Sequence, residues 1–191
     1  MMLSPQSSFR LAVVAFAAVL SAAAGWGLAG ELPVAFAADN ACQAAALARL
    51  RGDLWAACAQ IGSPEDAGRA AERAVRLAPH QAAAWLTLAR LLPPGANPTE
   101  CLKIAYYVAP NEAALMPRRL MVAVSPGMLA DRDVGEMMRH DVRNIMTRHR
   151  ELAPAIIAAH RAAAPEGRAA LEAASREVDA GFADALRRGG Q

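Results

Sequence analysis

Hydrophobic positions are distributed along this chain in two different ways. From Leu11 to Gly30 (LAVVAFAAVLSAAAGWGLAG) they are continuous: the run carries no charge, and only Ser21 is polar. A helix of about twenty residues spans about 30 Å, the thickness of a bilayer core. From Ala41 onward the apolar residues instead recur at three- and four-residue spacing, the pattern of amphipathic helices. Period-two alternation of β-branched residues is nearly absent, so no sheet of consequence is expected.

Prolines, glycines and capping residues divide the second region into elements. Ala41 to Gln60 reads as helix with a point of interruption at Gly52-Asp53. Ser63-Pro64-Glu65-Asp66 supplies an N-cap, a proline at the first helical position and acids in the first turn. That helix runs to about Leu77, with Ala67, Ala70, Ala71, Ala74 and Val75 on one face, and Pro79 breaks it. A second covers about Gln81 to Leu92, burying Ala84, Trp85, Leu88 and Leu92, until Pro93-Pro94-Gly95 stops it. Asn97-Pro98-Thr99-Glu100 starts a third, which continues to about Val108 and ends at Pro110. Pro117 cannot sit in a helix interior without costing about 3 kcal/mol. A turn is therefore expected around Glu112 to Met116, with a new helix beginning at Pro117. Ala130 to Glu151 is an amphipathic helix whose stripe is Val134, Met137, Met138, Val142, Ile145 and Met146. The methionines could form a deformable partner surface, but core is the favoured reading. Two further helices, Ala155 to Ala163 and Arg168 to about Arg187, follow Pro154 and Pro165-Glu166-Gly167.

An internal repeat crosses this region. Val75-Arg76-Leu77-Ala78-Pro79-His80-Gln81-Ala82-Ala83 matches Tyr106-Tyr107-Val108-Ala109-Pro110-Asn111-Glu112-Ala113-Ala114 at a constant offset, without insertion or deletion. Both copies follow an amphipathic helix and carry the same Ala-Pro-polar-polar-Ala-Ala corner. A period slightly over thirty with two helices per unit is the signature of a helical solenoid, in which each pair buries its apolar face on its neighbour. An ordinary helical bundle with two similar turns is the alternative. The segment Ala71 to Leu91 (AERAVRLAPHQAAAWLTLARL) resembles the second helix of one tetratricopeptide repeat (TPR) running into the first helix of the next. The resemblance covers Cys42 to about Tyr107, and CLKIAYYVAPNEAALMPRRL (Cys101 to Leu120) departs from it at Pro117. With its anchor and basic helical tail, the chain also resembles small membrane-anchored repeat proteins of bacterial polysaccharide biosynthesis and export loci. That likeness implies a supporting role in envelope polysaccharide production, with no defined chemistry. The expected fold is all-α: an N-terminal transmembrane helix, then a TPR-like helical-hairpin array with a helical C-terminal extension. The corresponding division is 1–38 (anchor and connector), 39–125 (repeats) and 126–191 (extension).

Charge orients the first segment. Arg10 precedes the apolar run, and the next basic residue is Arg49. The positive-inside rule then places the N-terminus in the cytoplasm and the rest outside it, with Trp26 near the outer interface. A cleavable signal peptide is the competing reading, with Ala22-Ala23-Ala24 and Ala35-Phe36-Ala37 as small-residue sites. The anchor is favoured because the run exceeds a usual signal core. Both readings put the bulk of the chain in the periplasm of a bacterium, at or released from the inner membrane.

Composition narrows the function classes. The 191 residues include 20 basic and 18 acidic side chains for a net charge of +2, and only Lys103 among the bases is a lysine. With acids interleaved and no basic face, nucleic-acid binding is not expected. The basic group Arg118, Arg119, Arg139, His140, Arg143, Arg148, His149 and Arg150 could touch anionic lipid headgroups or an acidic polysaccharide, but a solvated surface offset by neighbouring acids is the favoured reading. Asp141 beside His140 is read as a surface pair. His80, His140, His149 and His160 lack ligand spacing, so no metal and no cofactor is expected. Cys42 and Cys58 cannot pair along one straight helix, which would separate them by roughly 24 Å, whereas a disulfide needs Cα atoms within about 7 Å. A turn near Gly52 would permit the bond; three small buried hydrophobes at Cys42, Cys58 and Cys101 is the favoured reading. Without a nucleophile elbow or phosphate loop, an enzyme is not expected. The chain reads as a protein–protein interaction module for envelope proteins, with Arg76, His80, Gln81, Trp85, Tyr106, Tyr107, Asn111 and Glu112 as groove candidates. Trp85 and Tyr106 have core packing as the alternative. A periplasmic assembly chaperone, for instance in cytochrome maturation, is the second reading, and an unrecognised enzyme the third.

Overall fold

The computed structural model describes residues 41–47, 49–91 and 93–189. The apolar run Leu11 to Gly30 and the 1–38 segment lie outside the described residues, as does Leu92. Among the described residues, no helix is long and apolar enough to cross a membrane.

The described chain is all-helical, with ten α-helices and no strand among the described residues. They are α1 (Ala41–Leu47), α2 (Gly52–Ile61), α3 (Pro64–Leu77), α4 (Ala82–Leu91), α5 (Pro98–Val108), α6 (Met116–Ala123), α7 (Arg132–Arg148), α8 (Ala153–Ala162), α9 (Pro165–Arg176) and α10 (Ala180–Gly189). The expected starts of α3 and α5 rest on the caps read from sequence. Ser63 accepts from the Asp66 N–H, and the Asn97 side chain accepts from the N–H groups of Thr99 and Glu100. Pro117 stands in the first turn of α6, after a 3-10 turn over Ala113–Leu115, as its missing N–H requires. The expected single helix from Arg168 to Arg187 is instead two. Asp179 accepts from the Phe182 N–H and caps α10, stopping α9 without any proline.

Helices α1 to α5 each pack on the next in sequence, while α2 packs on α4 and α4 on α6. The interfaces of α1 to α4 are built largely from alanine: Ala44, Ala45, Ala56, Ala59, Ala70, Ala71, Ala74, Ala84 and Ala89 are all buried. Small side chains let helix axes approach closely. Gly52, at the start of α2, shows how closely, since a Cβ there would lie 2.5 Å from the Ala78 Cβ at the α3–α4 corner. Each buried methyl contributes only about 0.8 kcal/mol, so this half has a thin core. The C-terminal half is richer, with Val134, Met138, Val142, Ile145, Met146, Ile156 and Leu171 buried. The methionine stripe is therefore core at Met138 and Met146. One hydrophobic cluster runs from Ala44 to Leu186 across residue 125.

Cys42 and Cys58 form a disulfide, with Cα atoms 4.6 Å apart. This corrects the expectation of three free thiols. The turn between α1 and α2, ending at Gly52, folds the two helices side by side and removes the separation that one straight helix would impose. Cys101 is free and buried, and burial pushes its thiol upward, with Glu100 adding to the shift.

Candidate functional site

The two copies of the repeated corner adopt the same backbone. Ala78 ends α3 at φ −145°, ψ 80°, and Ala109 ends α5 at φ −141°, ψ 64°. The hydrogen bonds recur at the same offset: Gln81 N–H to the Ala78 carbonyl matches Glu112 N–H to Ala109, and Ala84 to Gln81 matches Leu115 to Glu112. Each corner also has a carbonyl held by the helix that follows. Trp85 Nε1 donates to Pro79 O at 2.8 Å, and Arg119 donates to Ala109 O at 2.7 Å and Pro110 O at 3.3 Å.

The second copy differs in that the counterpart of Leu88 on α4 is Arg119 on α6. Leu88 is core; Arg119 is fully buried as well. A guanidinium in that position requires a counter-charge, and α7 supplies it. Arg119 donates to both oxygens of Asp141, Nε to Oδ2 and Nη2 to Oδ1, each at 3.0 Å. The Tyr106 ring lies against the guanidinium, 4.5 Å from its centroid to the guanidinium carbon. The Tyr106 hydroxyl is close enough to Asp141 to feel its charge but has no hydrogen bond of good geometry. Burial pushes the Asp141 carboxyl up to about 6, against the opposing pull of Arg119.

Two sequence expectations are corrected here. Asp141 is not a surface partner of His140: successive helical positions point about 100° apart, and His140 instead lies 2.8 Å from the Asn144 amide. Nor is Arg119 part of a solvated basic face. Three others of that run are offset by acids, Arg139 paired to Glu136, Arg143 to Glu177 and Arg150 to Asp179.

A surface groove of about 500 Å³ opens on the side formed by α2, α4 and α6. Gln60, Arg90 and Arg118 supply its polar lining, and Leu86, Pro117, Met121 and Val122 its apolar wall. Arg118 is half-buried and donates to Gln60 Oε1 at 3.1 Å and to Thr87 Oγ1 at 3.2 Å. Thr87 and Arg118 are equivalent positions of the repeat, so neighbouring units touch through the same register. Both acceptors are neutral. Burial, and then the like charge of Arg90, push the Arg118 guanidinium downward. Met121 is 42% exposed.

The residues singled out from sequence do not line this groove. His80 and Gln81 sit in the first corner, at the other end of α4 from Arg90, and Asn111 and Glu112 in the second, between α5 and α6. Tyr106 is buried and leaves the set of partner-facing candidates, because its face is taken by Arg119. Trp85 is half-buried against Pro79, and Tyr107 is 68% exposed. Arg76 lines a second groove of about 540 Å³ with Cys42, Trp55, Cys58, Arg69 and Arg73. There Arg76 pairs with Glu72 and Arg69 with Glu65 and Asp66, so the charge is offset. Gln60 and Arg90 escaped the sequence reading, and Arg118, expected on a solvated basic surface, lines the groove with them. The one available signal was their placement at the ends of alternate helices, visible only once α2, α4 and α6 are known to share a side.

No family model, curated protein sequence or solved structure matches this chain.

Proposed function

We propose that this protein is a non-catalytic, extracytoplasmic adaptor. Residues Leu11 to Gly30 anchor it in the inner membrane, and a TPR-like array binds another envelope protein in support of polysaccharide synthesis or export. The observation that carries the reading is the repeated Ala-Pro corner, whose backbone hydrogen bonds recur in both copies beside an open groove lined from α2, α4 and α6. The Cys42–Cys58 bond supports the compartment, since stable disulfides belong to oxidising environments. Anchoring raises the effective concentration of a modest site at the membrane.

A photo-crosslinking amino acid at Met121, in the groove, tests the reading in cells. One discrete envelope partner should be captured there and not from exposed Ala173 on α9. No adduct from position 121, or the same adducts from both positions, sinks it. A reporter fused after Gln191 should be active outside the cytoplasm, and deletion of the chain should lower surface polysaccharide. The exposed methionine also suits an assembly chaperone, because thioethers adapt to varied clients. Capture of many unfolded clients in place of one partner would favour that second reading.

A further inference from the structure

We infer that the groove of α2, α4 and α6 is a receptor for an acidic peptide segment, gripped through carboxylates at Arg90 and Arg118. The inference rests on the adaptor reading and names the chemistry of the partner.

Arg118 is removed from much of its solvent, yet among the described residues it is held by the neutral oxygens of Gln60 and Thr87. Arg90 lines the same groove, and among the described residues no acid does. Several arginines elsewhere do carry acid partners: Arg119 with Asp141, Arg69 with Glu65 and Asp66, Arg139 with Glu136. Two like charges facing one cleft repel each other, and an incoming carboxylate relieves the repulsion while accepting charge-assisted hydrogen bonds. Pinning by Gln60 and Thr87 orders the Arg118 side chain beforehand, so less entropy is lost on binding.

The groove wall decides the class of polyanion. Leu86, Pro117, Met121 and Val122 present an apolar surface beside the arginines. An acidic polysaccharide would leave that wall wet, and a nucleic acid would need a longer basic track than two residues. A peptide with aliphatic side chains between its acids fills both halves of the site.

The test is fluorescence anisotropy on the full chain in detergent micelles. The probe is a labelled 12-residue peptide with glutamate at every third position among alanine and leucine. A matched peptide carries glutamine for each glutamate, and oligogalacturonate serves as competitor. Binding of the glutamate peptide should exceed that of the glutamine peptide by at least about tenfold and weaken with salt. Arg90→Gln and Arg118→Gln should each weaken it by about tenfold, while Arg188→Gln on α10 leaves it unchanged. Glutamine is neutral and polar at both sites, and far-UV circular dichroism establishes that the variants remain folded. Equal binding of the two peptides, no loss in either groove variant, or displacement by oligogalacturonate as effective as by unlabelled peptide overturns the inference. A chain that fails here but still gives one discrete crosslink from position 121 keeps its adaptor role with a partner of other chemistry.

Discussion

Replacing Arg119 with leucine, the residue at the equivalent place in the preceding repeat (Leu88), tests what joins the repeats to the C-terminal helices. The change leaves Asp141 fully buried without its cation and deprives the Ala109 and Pro110 carbonyls of their donor. Breaking a buried ion pair from one side costs about 3–5 kcal/mol, and that is the loss expected at pH 7 in urea unfolding followed by far-UV circular dichroism. The double variant Arg119→Leu, Asp141→Leu removes both charges. It should recover most of the loss, keeping a deficit of about 1–3 kcal/mol for the carbonyls.

The pH dependence gives a second readout with a definite sign. Burial already raises the Asp141 carboxyl from 3.8 to about 6 in the folded protein. A raised carboxyl contributes stability that is present below its unfolded value and lost as pH rises through the folded one. In the wild type that loss is complete a little above pH 6. Without Arg119 the carboxyl rises further, so Arg119→Leu alone keeps losing stability at about 1.4 kcal/mol per pH unit above 6. Between pH 6 and 7.5 its deficit against wild type should widen by about 2 kcal/mol. The double variant should show no such widening. A loss below about 1 kcal/mol at pH 7, a deficit independent of pH, or failure of the second substitution to rescue would each refute the assignment of Arg119–Asp141 as the joint.

Close packing, redox state and a second charged cluster give further expected outcomes. Gly167→Ala would put a Cβ 2.9 Å from the Val124 carbonyl oxygen, and Gly52→Ala one 2.5 Å from the Ala78 Cβ. Each should lower stability by about 1–3 kcal/mol, whereas Gly68→Ala, with open space around it in α3, should raise it by about 0.5–1 kcal/mol. Reducing Cys42–Cys58 opens a loop of sequence separation 16 and should cost about 3 kcal/mol, read as a lowered melting temperature in dithiothreitol. Thiol titration should find none reactive in the folded protein, one on unfolding without reductant and three with it; a reactive thiol in the native state contradicts the burial of Cys101. His160 first, and Arg187 next, hold the Glu172 carboxyl below its usual range. That stabilisation is present above 4.5 and lost as pH falls through the depressed value. The stability gap between wild type and Glu172→Gln should accordingly close in acid, and a gap that widens below pH 4 would contradict the ion pair.

Local signals determined much of the secondary structure. Ser63, Asn97 and the prolines at 64, 98 and 117 fix helix starts through backbone chemistry that acts within four residues. The constant offset between the two repeat copies likewise marked a corner that folds twice in the same way, because the Ala-Pro step restricts the same dihedrals wherever it occurs. The break at Asp179 went unread: a side-chain cap within an apolar periodicity competes with helix by a margin that packing decides.

The site lay beyond such reasoning. Arg119 and Asp141 are both ordinary surface residues by type, and only the meeting of α6 with α7 turns them into a buried joint. Tyr106 and Tyr107 are neighbours of one kind, yet one is core and the other exposed, because helix phase against α6 and α7 separates them. Gln60, Arg90 and Arg118 come together across 58 residues of chain. By itself the sequence determined where helices begin, which faces are apolar and that one unit recurs, since those follow from short-range sterics and periodic burial. Which charges are buried, which cysteines bond and which arginines share a groove was decided by the tertiary structure alone, because desolvation and Coulomb energy depend on distances that chain order does not specify.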